Sequence, residues 1–143
     1  MTGALQDAME RLADRYWHGV SLALLFDYDG TLVPIAEDPD LAVLGPRARR
    51  RIERLARTPA VFVGVLSGRR IDDLKRAVGI SGLYYAGTNG LELDWWGVPV
   101  VHVDSDRAAR LVVMVADRVR RTAARYSGAW VEQKPLGLTV HYR

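Results

Sequence analysis

The strongest constraint in this chain is a single transition. Val20-Ser21-Leu22-Ala23-Leu24-Leu25-Phe26 is a nearly unbroken apolar run, and it gives way at once to Asp27-Tyr28-Asp29-Gly30-Thr31. An apolar run this short fits a strand buried on both faces, as in a parallel sheet. In open α/β sheets ligands bind beyond the carboxyl ends of the strands, which is where the two carboxylates fall. Residues i and i+2 point to one side of a strand, so Asp27 and Asp29 would repel unless a proton or a cation shares the site. An Asp-rich turn is the plain alternative, because Asp and Gly are common turn residues. The preceding strand, the hydroxyl of Thr31 and the apolar Leu32-Val33-Pro34-Ile35 that follows favour a functional loop.

The rest of the chain repeats the strand-then-helix rhythm. Periodicity predicts an amphipathic helix over 4–18. Gly45-Pro46 opens a second helix to about Arg57, with Ala48, Ile52 and Leu55 as its apolar stripe. Ala60–Leu66 reads as a second buried strand, Ile71–Val78 as a helix and Leu83–Ala86 as a third short strand. Alternation of this kind argues for an α/β layer around a parallel sheet. After Gly87 the pattern changes. A hairpin is predicted around Gly97, from Leu91–Trp96 and Val98–Val103. A long helix follows from Asp106 to about Tyr126, with Leu111, Met114, Val115, Val119 and Ala123 along one side. A second hairpin, Ala129–Lys134 with Leu138–Arg143, turns at Pro135-Leu136-Gly137. Three parallel strands make a thin sheet, and the pattern stops within a strand, so further chain is expected beyond Arg143.

Composition narrows the function classes. The 143 residues are 49% apolar and 26% charged, which suits one globular domain with a real core. With no cysteine, a disulfide scaffold, a thiolate metal site and a Cys nucleophile are all excluded. No apolar run approaches the ~18 residues of a bilayer span, and Asp7, Glu10 and Asp14 leave no apolar signal region near the N-terminus. A cytoplasmic protein without a membrane partner is therefore expected. The net charge is +3 and the basic residues are nearly all Arg, Lys75 and Lys134 being the exceptions. Arg47, Arg49, Arg50, Arg51, Arg54 and Arg57 circle their helix instead of forming a stripe, which favours a solvated face over a nucleic-acid surface. His18, His102 and His141 lack metal-ligand spacing, no G-x-S-x-G surrounds Ser67, and no P-loop is present.

The chemistry therefore concentrates at the strand ends. A carboxylate can attack phosphorus to form an acyl phosphate, a role that suits Asp27. A second carboxylate, Asp29, can protonate the leaving oxygen and then activate water. Mg²⁺ takes oxygen ligands of the kind both residues offer. Backbone N–H groups of Gly30 and Thr31 suit an anion nest. Ser67-Gly68-Arg69, at the end of the next strand, suits a phosphate site at a helix start, with a Ser N-cap as the alternative.

DYDGTLVPI followed by a strand ending in LSGR resembles the haloacid dehalogenase-like phosphatase superfamily. GLYYAGTNGLEL (82–93) and VEQKPLGLTVHYR (131–143) resemble segments of the trehalose-6-phosphate phosphatases within it. The resemblance implies a Rossmann-like parallel-sheet hydrolase core with an inserted α/β cap. Residues 1–87 would be the N-terminal part of the core, and 88–143 the passage to the cap and the cap itself. It implies Mg²⁺-dependent hydrolysis of trehalose 6-phosphate to trehalose and phosphate through an aspartyl-phosphate. Asp27 is then nucleophile and metal ligand. Asp29 is acid/base and ligates the metal through its carbonyl, and Gly30, Thr31, Ser67, Gly68 and Arg69 bind phosphate. Glu132 and Lys134 hold sugar hydroxyls, a pairing of acceptor and donor that a polyol requires. Asn89, where the family usually has His, and Arg143, in the H-Y-R element, complete the expected substrate contacts. The superfamily also uses a Lys and an acidic pair after the cap. No acidic residue follows Glu132, so the fold is expected to be incomplete at its C-terminus. Two other functions fit the same residues. One is a different sugar phosphatase of the superfamily, which would not need Glu132-x-Lys134; the other is a non-catalytic sugar-phosphate-binding or partner-binding domain.

Overall fold

The parallel pairing anticipated from the apolar runs is present in the computed structural model, which describes residues 2–36, 41–101 and 104–142. Strands β1 (Leu22–Asp27), β2 (Val61–Leu66) and β3 (Tyr84–Gly87) run parallel, with Leu24 opposite Val63 and Val65 opposite Tyr85. Helix α2 (Pro46–Ala56) follows β1, and α3 (Ile71–Val78) follows β2. Ile52 of α2 and Leu74 and Val78 of α3 close over Val63, Val65 and Tyr85, and this is the core. Their 3.6-residue stripes meet the period-2 face of the strands, which is why these two helices and not the polar segments cover the sheet.

The sheet does not stop at three strands. The hairpin of β4 (Glu92–Trp95) and β5 (Val98–Val101) adds antiparallel to β3, giving the order β1-β2-β3-β4-β5. Asp94 fixes it there. Its buried carboxylate accepts a hydrogen bond from Lys75 of α3 and another, 2.6 Å long, from the Gly97 N–H in the turn. Trp96 takes φ +54° in that turn. Adjacent strand residues ordinarily face opposite sides, but the left-handed residue breaks that alternation, so both indoles lie against Tyr84, with ring centroids 6.1 and 5.5 Å away.

The expectation of a first strand buried on both faces is corrected. β1 lies at the sheet edge and its burial alternates, with Leu25 64% exposed. The physical reason is coverage: α2 and α3 pack on one face, and the face carrying Leu25, Phe62, Leu66 and Trp95 is bare among the described residues. Helix α1 (Thr2–Trp17) is amphipathic as expected, yet Leu5, Met9 and Trp17 of its apolar stripe remain exposed. Tyr16 Oη ties it to the Pro59 carbonyl over 3.1 Å.

Helix α4 (Ser105–Ala123) packs on a separate two-stranded sheet of β6 (Ala129–Lys134) and β7 (Gly137–Tyr142). Its inward residues are Val112, Ala116 and Ala123, whereas Leu111, Met114 and Val115 of the expected stripe are exposed. The arginine helix behaves as a solvated surface with one exception. Arg49 reaches across to the carboxyl end of α3 and donates to the Val78 and Gly79 carbonyls at 2.7 and 2.8 Å, a favourable place for a cation. His102, Val103 and Arg143, assigned above to strand ends, lie outside the described residues.

Candidate active site

The carboxyl ends of β1, β2 and β3 are stitched together by backbone hydrogen bonds, and that stitching positions the candidate side chains. Tyr28 N–H donates to the Leu66 carbonyl (3.2 Å), which holds the acidic loop against β2. The Tyr28 carbonyl in turn accepts from Leu32 and Val33 at 3.0 and 3.2 Å, folding the loop back on itself. Gly30 sits in this turn at φ +84°, a conformation glycine adopts without steric cost. On the neighbouring strand Ser67 N–H donates to Ala86 (2.9 Å), Asn89 N–H to Ser67 (3.1 Å) and Thr88 N–H to Arg69 (2.6 Å). Gly87 makes this seam possible, since a Cβ there would meet the Ile71 backbone nitrogen at 2.6 Å and the Arg69 carbonyl at 3.0 Å.

These loops and the β6–β7 hairpin enclose a cleft of about 550 Å³. Asp29, Ser67, Arg69 and Asn89 line it from the sheet side, Glu132 and Lys134 from the hairpin side, and Gly68 also reaches it. Segments far apart in sequence thus share one wall-to-wall space. Asp27, Gly30 and Thr31 lie outside the lining. Asp27 is exposed beside the cleft and accepts a 3.2 Å hydrogen bond from the Thr31 hydroxyl. The Gly30 N–H, expected to face an anion, donates to the Val33 carbonyl at 2.8 Å, so in this conformation its part is to close the turn.

Asp29 is held by charge. Arg69 grips it in a two-pronged pair, Nε to Oδ2 at 2.9 Å and Nη2 to Oδ1 at 2.7 Å, and the Ser67 hydroxyl adds a 3.3 Å bond. The Arg69 hydrogen bond, opposed by partial burial, keeps the Asp29 carboxyl below the usual carboxylate range. The guanidinium also lies 5.2 Å from the centre of the Tyr28 ring, and that ring is fully buried with its hydroxyl on the Ala42 carbonyl. Ser67 is not the N-cap of α3, which is Arg70; its hydroxyl instead accepts the Arg69 N–H at 3.1 Å. From the other wall Lys134, only 8% exposed, donates to the Gly68 carbonyl and approaches Glu132 at 3.5 Å.

The donor chemistry around Asp27 and Asp29 suits a hard divalent cation: an exposed carboxylate and a neighbouring backbone carbonyl are oxygen ligands of the kind Mg²⁺ accepts while keeping several waters. Among the described residues no cluster of three acidic or imidazole groups gathers to enclose an ion, so these two residues would form part of a shell.

Sequence reasoning did not single out Trp130 or Thr139, yet both line the cleft, beside Arg70, next to Arg69 in its loop, and His141 of the H-Y-R element. A signal was available. Trp130, Glu132 and Lys134 share parity on β6, and Trp130 and Glu132 are directly opposite His141 and Thr139 on β7.

A Rossmann-like α/β layer with an acidic loop after its first strand and a Ser-Gly-Arg loop after its second fits the hydrolase core expected from the sequence. Residues 25–143 match the trehalose-phosphatase family model, and the chain belongs to that family. It is 40% identical over 125 residues to the trehalose-phosphate phosphatase of Mycobacterium tuberculosis and 41% identical over 126 residues to that of Mycolicibacterium paratuberculosis. Each match takes in 85% of this chain and 31% of the relative, so the chain spans about a third of their length. Among solved structures, the C-terminal domain of Candida albicans trehalose-6-phosphate phosphatase superposes with a TM-score of 0.76 at 27% identity, covering 86% of this chain and 43% of that one. The Aspergillus fumigatus trehalose-6-phosphate phosphatase gives 0.57 at 29% identity, over 86% and 46%.

Proposed function

We propose that this chain carries the nucleophile loop, the phosphate loop and the first sugar-binding elements of a phosphatase that hydrolyses trehalose 6-phosphate to trehalose and inorganic phosphate. The observation that supports this best is the shared cleft, with Asp29, Ser67 and Arg69 on one wall and Glu132 and Lys134 on the other. One wall suits a phosphate and the other a polyol.

The side chains support a two-step reaction. Arg69 and the Ser67 hydroxyl are donors for the phosphoryl oxygens. A phosphate dianion entering the cleft competes with Asp29 for Arg69. As the guanidinium turns to the phosphate, the Asp29 carboxyl loses the partner that lowered it and faces a dianion instead, which favours its protonated form. A carboxylate oxygen of Asp27 forms a bond to phosphorus while the bond from phosphorus to the sugar oxygen breaks, and Asp29 delivers its proton to that oxygen. Trehalose leaves. Asp29, now a carboxylate, takes a proton from water, whose oxygen attacks phosphorus and releases phosphate from Asp27. Glu132 accepts from sugar hydroxyls and Lys134 donates to them, which orients the leaving oxygen. Asp27 and Asp29 would hold Mg²⁺, which when bound offsets negative charge on the phosphoryl group.

The test is phosphate release from trehalose 6-phosphate with and without Mg²⁺, beside the Asp27→Asn protein. Release that requires both the cation and Asp27, falling at least ~10³-fold in the variant, is expected for a covalent nucleophile. Equal release by Asp27→Asn would sink the mechanism.

A further inference from the structure

The hairpin wall contains a run of contacts that the reaction above leaves unexplained. Trp130 and His141 are directly opposite across β6 and β7, and their rings stack with centroids 4.0 Å apart and planes 13° from parallel. His141 Nε2 lies 2.9 Å from Glu132 Oε2. The same oxygen is 3.5 Å from Lys134 Nζ, and Lys134 is in turn bonded to the Gly68 carbonyl of the phosphate loop. All four side chains face the cleft.

A glutamate in an open cleft has several rotamers, and ordering it costs side-chain entropy. The contacts here remove that freedom before any ligand arrives. An ionised carboxylate only accepts, so Nε2 carries the proton and donates. The imidazole plane is set by the indole beneath it. With Oε2 committed to His141 and Lys134, Oε1 is left to accept from a ligand hydroxyl.

We infer that His141 is a positioning residue, fixed in its ring plane by Trp130, that holds the Glu132 carboxylate in the orientation it uses to bind the sugar. The inference rests on the sugar-phosphate reading of the cleft, and it makes a prediction that a general structural role for His141 would not. If His141 acts through Glu132, its loss is costly only while Glu132 is present.

The experiment is a double-mutant cycle of His141→Ala and Glu132→Ala. It is read twice: as KM for trehalose 6-phosphate, and as Kd for the same compound in the Asp27→Asn background, by calorimetry. His141→Ala is expected to raise both constants ~10-fold with a smaller change in kcat, the loss of one charge-assisted hydrogen bond. His141→Gln, which keeps a donor near the position of Nε2, recovers most of that loss. Trp130→Ala weakens binding by a smaller factor than His141→Ala. The double variant binds no more weakly than Glu132→Ala alone. Multiplicative losses in the double variant overturn the positioning role, as does wild-type-like binding by His141→Ala. Binding with the expected coupling but without hydrolysis by the unmutated protein sinks the phosphatase reading alone. Hydrolysis with multiplicative losses sinks the positioning role alone.

Discussion

The two walls of the cleft are made in different ways. On the sheet side the loops leave three parallel strands and are laced together by main-chain hydrogen bonds, from Tyr28 to Leu66, Ser67 to Ala86 and Thr88 to Arg69. That lacing is made by main-chain groups and needs a residue without a side chain at Gly87, and the charged groups it carries, Asp29 and Arg69, are already paired with each other. The opposite wall is a two-stranded hairpin leaning on α4, and an isolated hairpin of that size is marginal in water. Its working groups are held mainly by one another, through Trp130, His141, Glu132 and Lys134. The lesson is a division of labour. On the proposed reading, phosphate chemistry would sit where the backbone is over-determined, and sugar selectivity where side chains settle the geometry among themselves.

The sharpest way to break this comparison is at Arg69. Arg69→Ala removes the main cation of the phosphate wall, and kcat/KM should fall ~10²–10³-fold both for trehalose 6-phosphate and for a sugar-free phosphomonoester such as p-nitrophenyl phosphate. A loss confined to the sugar phosphate would mean the walls have been assigned the wrong way round. The backbone side of the comparison is tested by Gly87→Ala. A Cβ against the Ile71 backbone should cost about 3 kcal/mol in urea unfolding. A melt indistinguishable from the parent would show that the seam between β3 and the Ser67 loop is not tight.

The smallest effect concerns pH. Arg69 lowers the Asp29 carboxyl in the folded chain, so the pair contributes stability above the unfolded carboxyl value of about 4 and loses it as pH falls through the lower folded value. The stability gap between the parent and Arg69→Ala should therefore be constant near pH 6–7 and narrow at about pH 3. Asp94, lowered by Lys75, follows the same sign, so the hairpin it pins should also loosen in acid. A gap that widens on acidification would contradict the pairing.

Much of this was visible in the residues themselves. The three apolar runs, the helices between them, the acidic loop after the first strand and the Ser-Gly-Arg loop after the second were legible because strand and helix periodicities and turn residues act locally. So was the hairpin carrying Glu132 and Lys134. What was not legible concerns partners. Periodicity says that Leu25 sits on a strand but not that its side of the sheet is bare among the described residues, and a hairpin signal at Gly97 does not say which edge the hairpin will join. Strand alternation would send Trp95 and Trp96 to opposite faces, and only the left-handed turn brings both against Tyr84.

The sequence alone determined which reactive side chains this protein holds: two aspartates at a strand end, a Ser-Gly-Arg loop at the next, and a carboxylate–lysine pair two residues apart on a later strand. Only the tertiary structure decided that Arg69 grips Asp29 across 40 residues and that Lys134 reaches Gly68 across 66. The reason is physical. Local pattern is written by steric and hydrophobic rules acting over a few residues. The meeting of distant charged groups depends on strand register and loop closure, which no short window of sequence contains.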